Sequence, residues 1–372
     1  MTTAKKRYET LLPNRLASLQ KARDCALLTI PSLLPPSGHS ASNTLPTPWQ
    51  TLGARCVNSL ASKLMLTLFP PTLPFFKFQL DGKAKVQAEQ SGEATEGKIN
   101  TALNTRERAI LAEFESSGVR PQLFQALRLL VATGDVLINF PSKEGPIRIF
   151  RKDRYVVARD PMGNLLEAVV CENVAPSTLS ETARALLPAN NDKVEKDVEL
   201  FTHLRWTGSE WKIYQELVGK QLPGTQGTYP KNKCPWLHLR MTAIDNEDYG
   251  RGLVEEYLGD FRSLETLAKA MVLGTAAGAK VVFLVNPLGN TDPKVISKSD
   301  TGDVKEGRAE DVSTMKVDKA MDFSVAQKAV ERLESALSYA FLLNSAIQRN
   351  GERVTAEEKI GRASCRERVS SP

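Results

Sequence analysis

Residues that usually carry chemistry are scarce in this sequence. Three histidines (His39, His203, His238) stand far apart, and five cysteines (Cys25, Cys56, Cys171, Cys234, Cys365) are scattered without a CxxC pair. Neither a disulfide framework nor a zinc site is indicated, and a reducing compartment fits. Cys234 and His238 make a lone C-x3-H pair where a metal site needs a second pair. A serine nucleophile elbow and an HExxH motif are both missing. GTAAGAK (274–280) lacks the four residues between glycines, and the GK followed by Ser or Thr, that a phosphate loop requires; its small residues suit close helix packing.

Long apolar runs are missing too. The N-terminal MTTAKKRYETLLPNRLASLQ has charges where a secretory leader needs an unbroken apolar stretch, and nothing further along could span a bilayer. A cytosolic protein is expected. Strong charge of one sign is also absent. The formal charge is +6, but Lys359, Arg362, Arg366 and Arg368 against Glu367 supply +3 of it in the last fourteen residues, leaving 45 basic against 42 acidic side chains. That balance is not the footprint of a tight nucleic-acid binder.

What is present is a chain of 372 residues, 41% hydrophobic and 25% charged, the composition of a globular protein with two or three structural units. Tyr8, Leu11, Leu12, Leu16, Leu19, Ala22 and Ala26 predict a helix over 6–29 with one buried face. Trp49, Leu52, Cys56, Leu60, Leu64 and Leu68 predict another over 47–69, opened by Thr47-Pro48 and ended by Pro70-Pro71. Arg55, Asn58 and Lys63 interrupt its apolar face, which favours core packing over an interfacial helix. Helical segments near 99–118 and 120–133 follow. Then the period changes: 136–140, 146–160 and 165–174 read as strands, and ELFTHLRWT with EWKIYQELV reads as a hairpin.

Further along, two apolar stripes at helical spacing run from Leu253 to Val272 and from Ser324 to Leu343. Each predicts a helix about 30 Å long at ~1.5 Å per residue. Between them lies a turn-rich insert with short strand signals. The acids DNED (245–248), Glu255, Glu256 and Asp260 suit a helix cap and first turn better than the metal site of a nuclease. In FLLNSAIQRNGERVTAEE (341–358), Asn350-Gly351 is a turn signal flanked by Arg349 and Arg353, and Thr355 with Glu358 makes a capping box; a plain surface loop between helices is the simpler reading of those residues alone.

Four phrases, TPWQTLGARCVNSLASKLMLTLFPP, GTYPKNKCPW, DYGRGLVEEYLGDFRSLE and FLLNSAIQRNGERVTAEE, occur in order between about Tyr8 and Glu358. Together they resemble the head-to-tail connector, or portal, of short-tailed bacteriophages. The resemblance implies an α+β subunit: a wing of helices plus antiparallel sheet over 1–250, a first stem helix over 251–277, a strand-bearing clip over 278–322, a second stem helix over 323–343, and the start of a tunnel-loop region over 344–358. It implies a non-enzymatic virion protein at a capsid vertex, assembled in the host bacterial cytoplasm as a dodecameric ring, with no cofactor, metal or membrane. Its implied partners are the terminase large subunit, a tail adaptor, the scaffolding and major capsid proteins, and double-stranded DNA passing through the tunnel. Within that reading Arg349 and Arg353 are expected near the DNA, and Lys294, Lys298 and Lys305 at the contact with terminase or tail adaptor. The alternatives are a tail-tube adaptor, another ring-forming virion protein, or a metal-dependent packaging nuclease. Residues 359–372 resemble the translation of a sequencing-adapter oligonucleotide and are expected to be non-native, with the family's helix cut short before them.

Overall fold

The computed structural model describes residues 3–40, 42–71, 73–79, 96–141, 145–187, 197–278, 282–286, 294, 309–315 and 320–343. Helix α1 (Ala4–Leu28) starts at Thr3, whose hydroxyl accepts the Lys6 N–H at 3.3 Å. The Glu216 carboxylate also accepts from Ala4 N at 2.6 Å and Lys5 N at 3.3 Å, an anion at the positive end of a helix. One face of α1 is buried as expected at Leu11, Leu19, Ala22 and Ala26, but Leu16 is 57% exposed and Arg15 takes a buried place instead. Arg15 Nη1 donates to the carbonyls of Lys152, Asp153 and Tyr155 at 3.2, 3.1 and 2.5 Å, which satisfies a turn that apolar contact could not.

Helix α2 (Leu52–Leu68) begins later than the Thr-Pro signal suggests. Gln50 does the capping: its Oε1 accepts from Gly53 N at 2.8 Å while its Nε2 donates to Leu28 O at 2.6 Å. Trp49 is therefore left outside the helix and 45% exposed. Helices α3 (Glu96–Ser116) and α4 (Val119–Thr133) follow, and α4 ends at Gly134 in the left-handed conformation, the usual helix stop.

Strands β1 (Asp135–Asn139), β2 (Arg148–Phe150) and β9 (Trp236–Arg240) form a small antiparallel sheet in the order β2-β1-β9. The single strand expected over 146–160 is broken by a turn at 152–154, after which β3 (Tyr155–Arg159) joins a different sheet. That second sheet continues through β4 (Leu165–Val174), β5 (Val198–Trp206), β6 (Glu210–Leu217) and β7 (Lys220–Gln221), with β8 (Gly227–Pro230) also paired to β6. A short helix, α5 (Glu181–Arg184), lies between β4 and β5.

Alternation along β1 explains how these layers stack. Leu137 faces the large sheet, in a cluster with Tyr155, Val157, Ala168, Val170, Leu204 and Trp211. Val136 and Ile138 face the other way, into the main core with α2 and α4, as the two-residue period of a strand requires. The opposite face of the large sheet is covered by α1, where Ala4 and Leu11 meet Val156, Val169 and Phe201.

The long helix expected from Leu253 is divided at Tyr257 into α6 (Leu253–Glu256) and α7 (Leu258–Gly278). Tyr257 sits at φ −105° and donates to Val254 O at 3.2 Å, a three-residue closure between the two helices. Helix α8 (Ala320–Ala340) returns against α7. Phe341 lies beside Phe261 and Tyr257, with ring centroids 5.7 and 5.6 Å apart, and at the other end a Cβ on Gly274 would lie 2.7 Å from the Phe323 ring. The two helices are thus antiparallel. Strands β10 (Val282–Val285) and β11 (Val312–Met315) pair antiparallel beyond their free ends, register Val282 with Met315. No helix among the described residues is long and apolar enough to cross a membrane.

Candidate joint between the sheet body and the helical hairpin

The segment Asp248–Gly252, inside the phrase DYGRGL, connects the sheets to α6 and α7. It is bolted at several points. Strand β3 is an edge of the large sheet, so its outward N–H groups need partners. Val157 N donates to Tyr249 Oη at 3.1 Å, and Arg159 N donates to Asp248 Oδ1 at 2.8 Å. Arg159 Nε also donates to the Asp248 carbonyl at 3.1 Å. The acids of DNED therefore do not cap the helix: its N-cap is Gly252, without a side-chain bond, and Asp248 caps a strand edge. Glu255 and Glu256 do lie in the first turn of α6.

Glycines let the backbones approach. Gly134 has φ +84°, and a Cβ there would come within 2.5 Å of Arg251 C and Gly252 N. A Cβ on Gly250 would meet Gly134 O at 2.8 Å, and one on Gly252 would meet Val131 O at 2.8 Å. The end of α4 and the start of α6 consequently pack main chain to main chain, a contact open only to glycine.

Beneath this contact lies a fully buried ion pair. Lys152, 1% exposed, holds its Nζ 2.5 Å from Asp135 Oδ2, with side-chain exposure of 1% and 0%. The same ammonium donates to Thr133 O at 3.3 Å and Gly250 O at 3.4 Å, while its contact with Asp135 Oδ2 is an ion pair and not a third hydrogen bond. Asp135 Oδ1 in turn accepts from Gly250 N at 2.7 Å. Burial pushes the Asp135 carboxyl up, and the Lys152 charge and these hydrogen bonds oppose that rise.

His238 completes the group. Arg159 Nη2 donates to its Nδ1, which leaves the imidazole proton on Nε2, 3.6 Å from Asp135 Oδ1. Burial, with the charges of Arg159, Lys152 and Arg240, holds His238 well below the ordinary histidine value. Thus the Cys234/His238 pair seen in the sequence is broken up by function: His238 belongs to the charged joint, and Cys234 packs with the cluster between the sheets. His203 has a comparable role elsewhere, bonding Glu167 Oε1 at 2.6 Å and Tyr214 Oη at 2.9 Å. The Cys25 and Cys56 thiols are pushed up to about 12, chiefly by burial, which makes them poor nucleophiles.

Of the residues expected from the sequence to meet partners, only Lys294 is among the described ones, and it is exposed. Lys298, Lys305, Arg349 and Arg353 lie outside the described residues, as do 344–358 and 359–372. Sequence reasoning missed Asp135, Lys152 and Tyr249. The glycine-rich phrase DYGRG was the available signal for Tyr249 and Gly250, whereas nothing local marks Lys152 as buried.

A sheet body is thus joined by main-chain contact and buried charge to an antiparallel helical hairpin. The family profile for "Bacteriophage head to tail connecting protein" matches residues 1–371. The chain is 41% identical over 365 residues to the portal protein of Escherichia phage T7 and 40% identical over 364 residues to that of Enterobacteria phage T3, each alignment covering 95% of this chain. It spans 67% of the length of either relative. It is 29% identical over 359 residues to the portal protein of Enterobacteria phage SP6. Among solved structures, a virion of a native gene transfer agent particle matches at 12% identity and a TM-score of 0.33, covering 64% of this chain and 59% of that one, too distant to bear on the argument. The chain belongs to the bacteriophage head-to-tail connector family and is a structural connector subunit of the phage particle.

Proposed function

We propose that this chain is a subunit of a dodecameric ring at one capsid vertex, through which the terminase large subunit packages double-stranded DNA and from which the DNA later leaves by way of a tail adaptor. The observation that carries this reading is the antiparallel α7–α8 hairpin, with β10–β11 beyond its free end, rising from a sheet body. In the ring the body would be the wing (1–250), α7 and α8 the stem, and the β10–β11 region the clip. The scaffolding and major capsid proteins would meet the wing during assembly in the host cytoplasm.

The near balance of charge, 45 basic to 42 acidic residues before position 359, supports a conduit. Each phosphate neutralised by Lys or Arg adds affinity and salt dependence, so a strong contact repeated around a ring would hold DNA where it must slide. Arg349 and Arg353 would form a sparse basic ring facing the tunnel. Lys294, Lys298 and Lys305, interleaved with Asp300, Asp303 and Glu306, would give the clip a polar surface suited to exchanging one partner for another.

Electron microscopy of the full-length protein tests the ring directly: closed rings with α7 and α8 toward the channel are expected, and open filaments or isolated subunits would overturn it. Charge reversal at Lys298 and Lys305 should weaken terminase or adaptor docking and leave rings intact. Loss of rings alone would reject the clip assignment.

A further inference from the structure

We propose that Asp135 and Lys152 form a latch whose function is positional: by clamping Gly250 from both sides of its backbone, they set the direction in which the α6–α7 helix leaves the sheet body. Gly250 gives its N–H to Asp135 Oδ1 at 2.7 Å and its carbonyl to Lys152 Nζ at 3.4 Å. These two side chains come from separate places, Asp135 from the first residue of β1 and Lys152 from the turn between β2 and β3. Lys152 also holds Thr133 O, at the end of α4. One ion pair therefore ties together helix α4, both sheets and the start of the hairpin.

Stability alone does not account for such a pair. Taking two charges out of water is costly, and packed apolar side chains of similar volume often serve as well or better. The surroundings add to that cost: Tyr155 Oη and His238 Nε2 are buried beside the pair without a hydrogen-bond partner. What charge supplies and hydrocarbon cannot is direction. The ammonium and carboxylate each specify where a particular main-chain group must lie, while apolar contact tolerates sliding and rotation. Five residues beyond Gly252, the helix is interrupted at Tyr257 by a three-residue closure, a local irregularity of the sort that marks hinges. The latch holds the chain on the body side of that interruption. Asp135 and Lys152 are positioning residues, acting through Gly250 on α6 and α7.

The latch rests on the fold of the described residues and not on the ring reading, so failure of either leaves the other standing. Hydrogen exchange on the full chain, read by mass spectrometry, tests it in Lys152→Met, Asp135→Leu and the double variant, since leucine, unlike asparagine, offers Gly250 N no acceptor. In each single variant, amides over 249–261 should exchange at least about ten-fold faster, while those of β4 to β6 stay within about two-fold of the parent. The double variant, which leaves no lone buried charge, should recover much of the thermal midpoint lost by either single change. It should nevertheless keep the fast exchange over 249–261, because the clamp on Gly250 is still gone. If a single variant does not fold, the double variant carries the test alone. Equal acceleration at the joint and in the sheet, no acceleration at the joint, or restored protection there in the double variant would each overturn the proposal.

Discussion

Helix α7 is held in two different ways near its start, by main-chain contact with the sheet body and by apolar packing against α8. At the base, glycine backbones touch and a buried ion pair grips the main chain of Gly250. Over its first two turns, apolar side chains do the work: Phe261 and Leu264 of α7 and Leu337 and Phe341 opposite them are all fully buried, and Phe341 presents its ring to Phe261 and Tyr257. The first arrangement dictates a direction through hydrogen-bonding groups with fixed geometry. The second contributes most of the adhesion, since apolar burial scales with area and has little directional preference. A part that must project from a body at a defined angle needs both.

The comparison can be broken most severely at the apolar contact. Phe341→Ala removes a fully buried ring shared by two aromatic neighbours and should cost about 3–5 kcal/mol in thermal or urea unfolding. At the base, Gly134→Ala forces a Cβ into a left-handed position and against the Arg251–Gly252 main chain. Strain and overlap together should cost roughly 2–4 kcal/mol, because neither backbone can step aside.

Acid should sharpen the contrast, because buried titrating groups lie in the body. His238 is held well below the ordinary value of about 6.5, so the unfolded chain takes up a proton that the folded chain refuses. Its contribution is present above that pH and declines as pH falls below it. His238→Asn should flatten the stability profile just below pH 6.5. Glu167 responds lower down. Burial alone would raise its carboxyl, but hydrogen bonds from His203 and Arg7, with their charges, bring it to about 2 from 4.5. Its stabilisation is full above pH 4.5 and lost as pH approaches 2, and Glu167→Gln should remove that limb from an acid-unfolding curve.

The smallest effect is expected at Gly274. An added Cβ would lie 2.7 Å from Phe323, but only from the far edge of a ring that can swing away. Gly274→Ala should shift stability by less than about 1 kcal/mol, helped by alanine's better helix propensity. A loss as large as that at Gly134 would mean that α7 and α8 are as tightly constrained at their free ends as at the base.

How much of this was legible in the sequence depended on the distance between partners. The helices α1, α2, α4, α7 and α8 announced themselves by period, and β4, β5 and β6 by β-branched runs, because those patterns are written within one element. Boundaries were less clear. The Thr47-Pro48 start was overruled by Gln50, whose side chain could bridge Leu28 and Gly53, and the run over 146–160 hid a turn that hands the chain from one sheet to the other. Leu16 and Arg15 exchanged their expected places because the carbonyls of 152–155 needed a donor more than the core needed another leucine. At the joint, only the glycines were readable. Lys152 looks like any surface lysine until Asp135, Thr133 and Gly250 surround it.

By itself, then, the sequence determined the elements, the order in which they occur, and through its ordered phrases the connector family, since each of these is a property of residues near one another in the chain or of whole segments. Tertiary structure alone decided where the buried charge would sit, which strand edge Asp248 and Tyr249 would cap, and how Gly250 would be held. Those outcomes depend on groups as far as 115 residues apart meeting in a space without water, where a lone ammonium or carboxylate cannot remain and must find its partner.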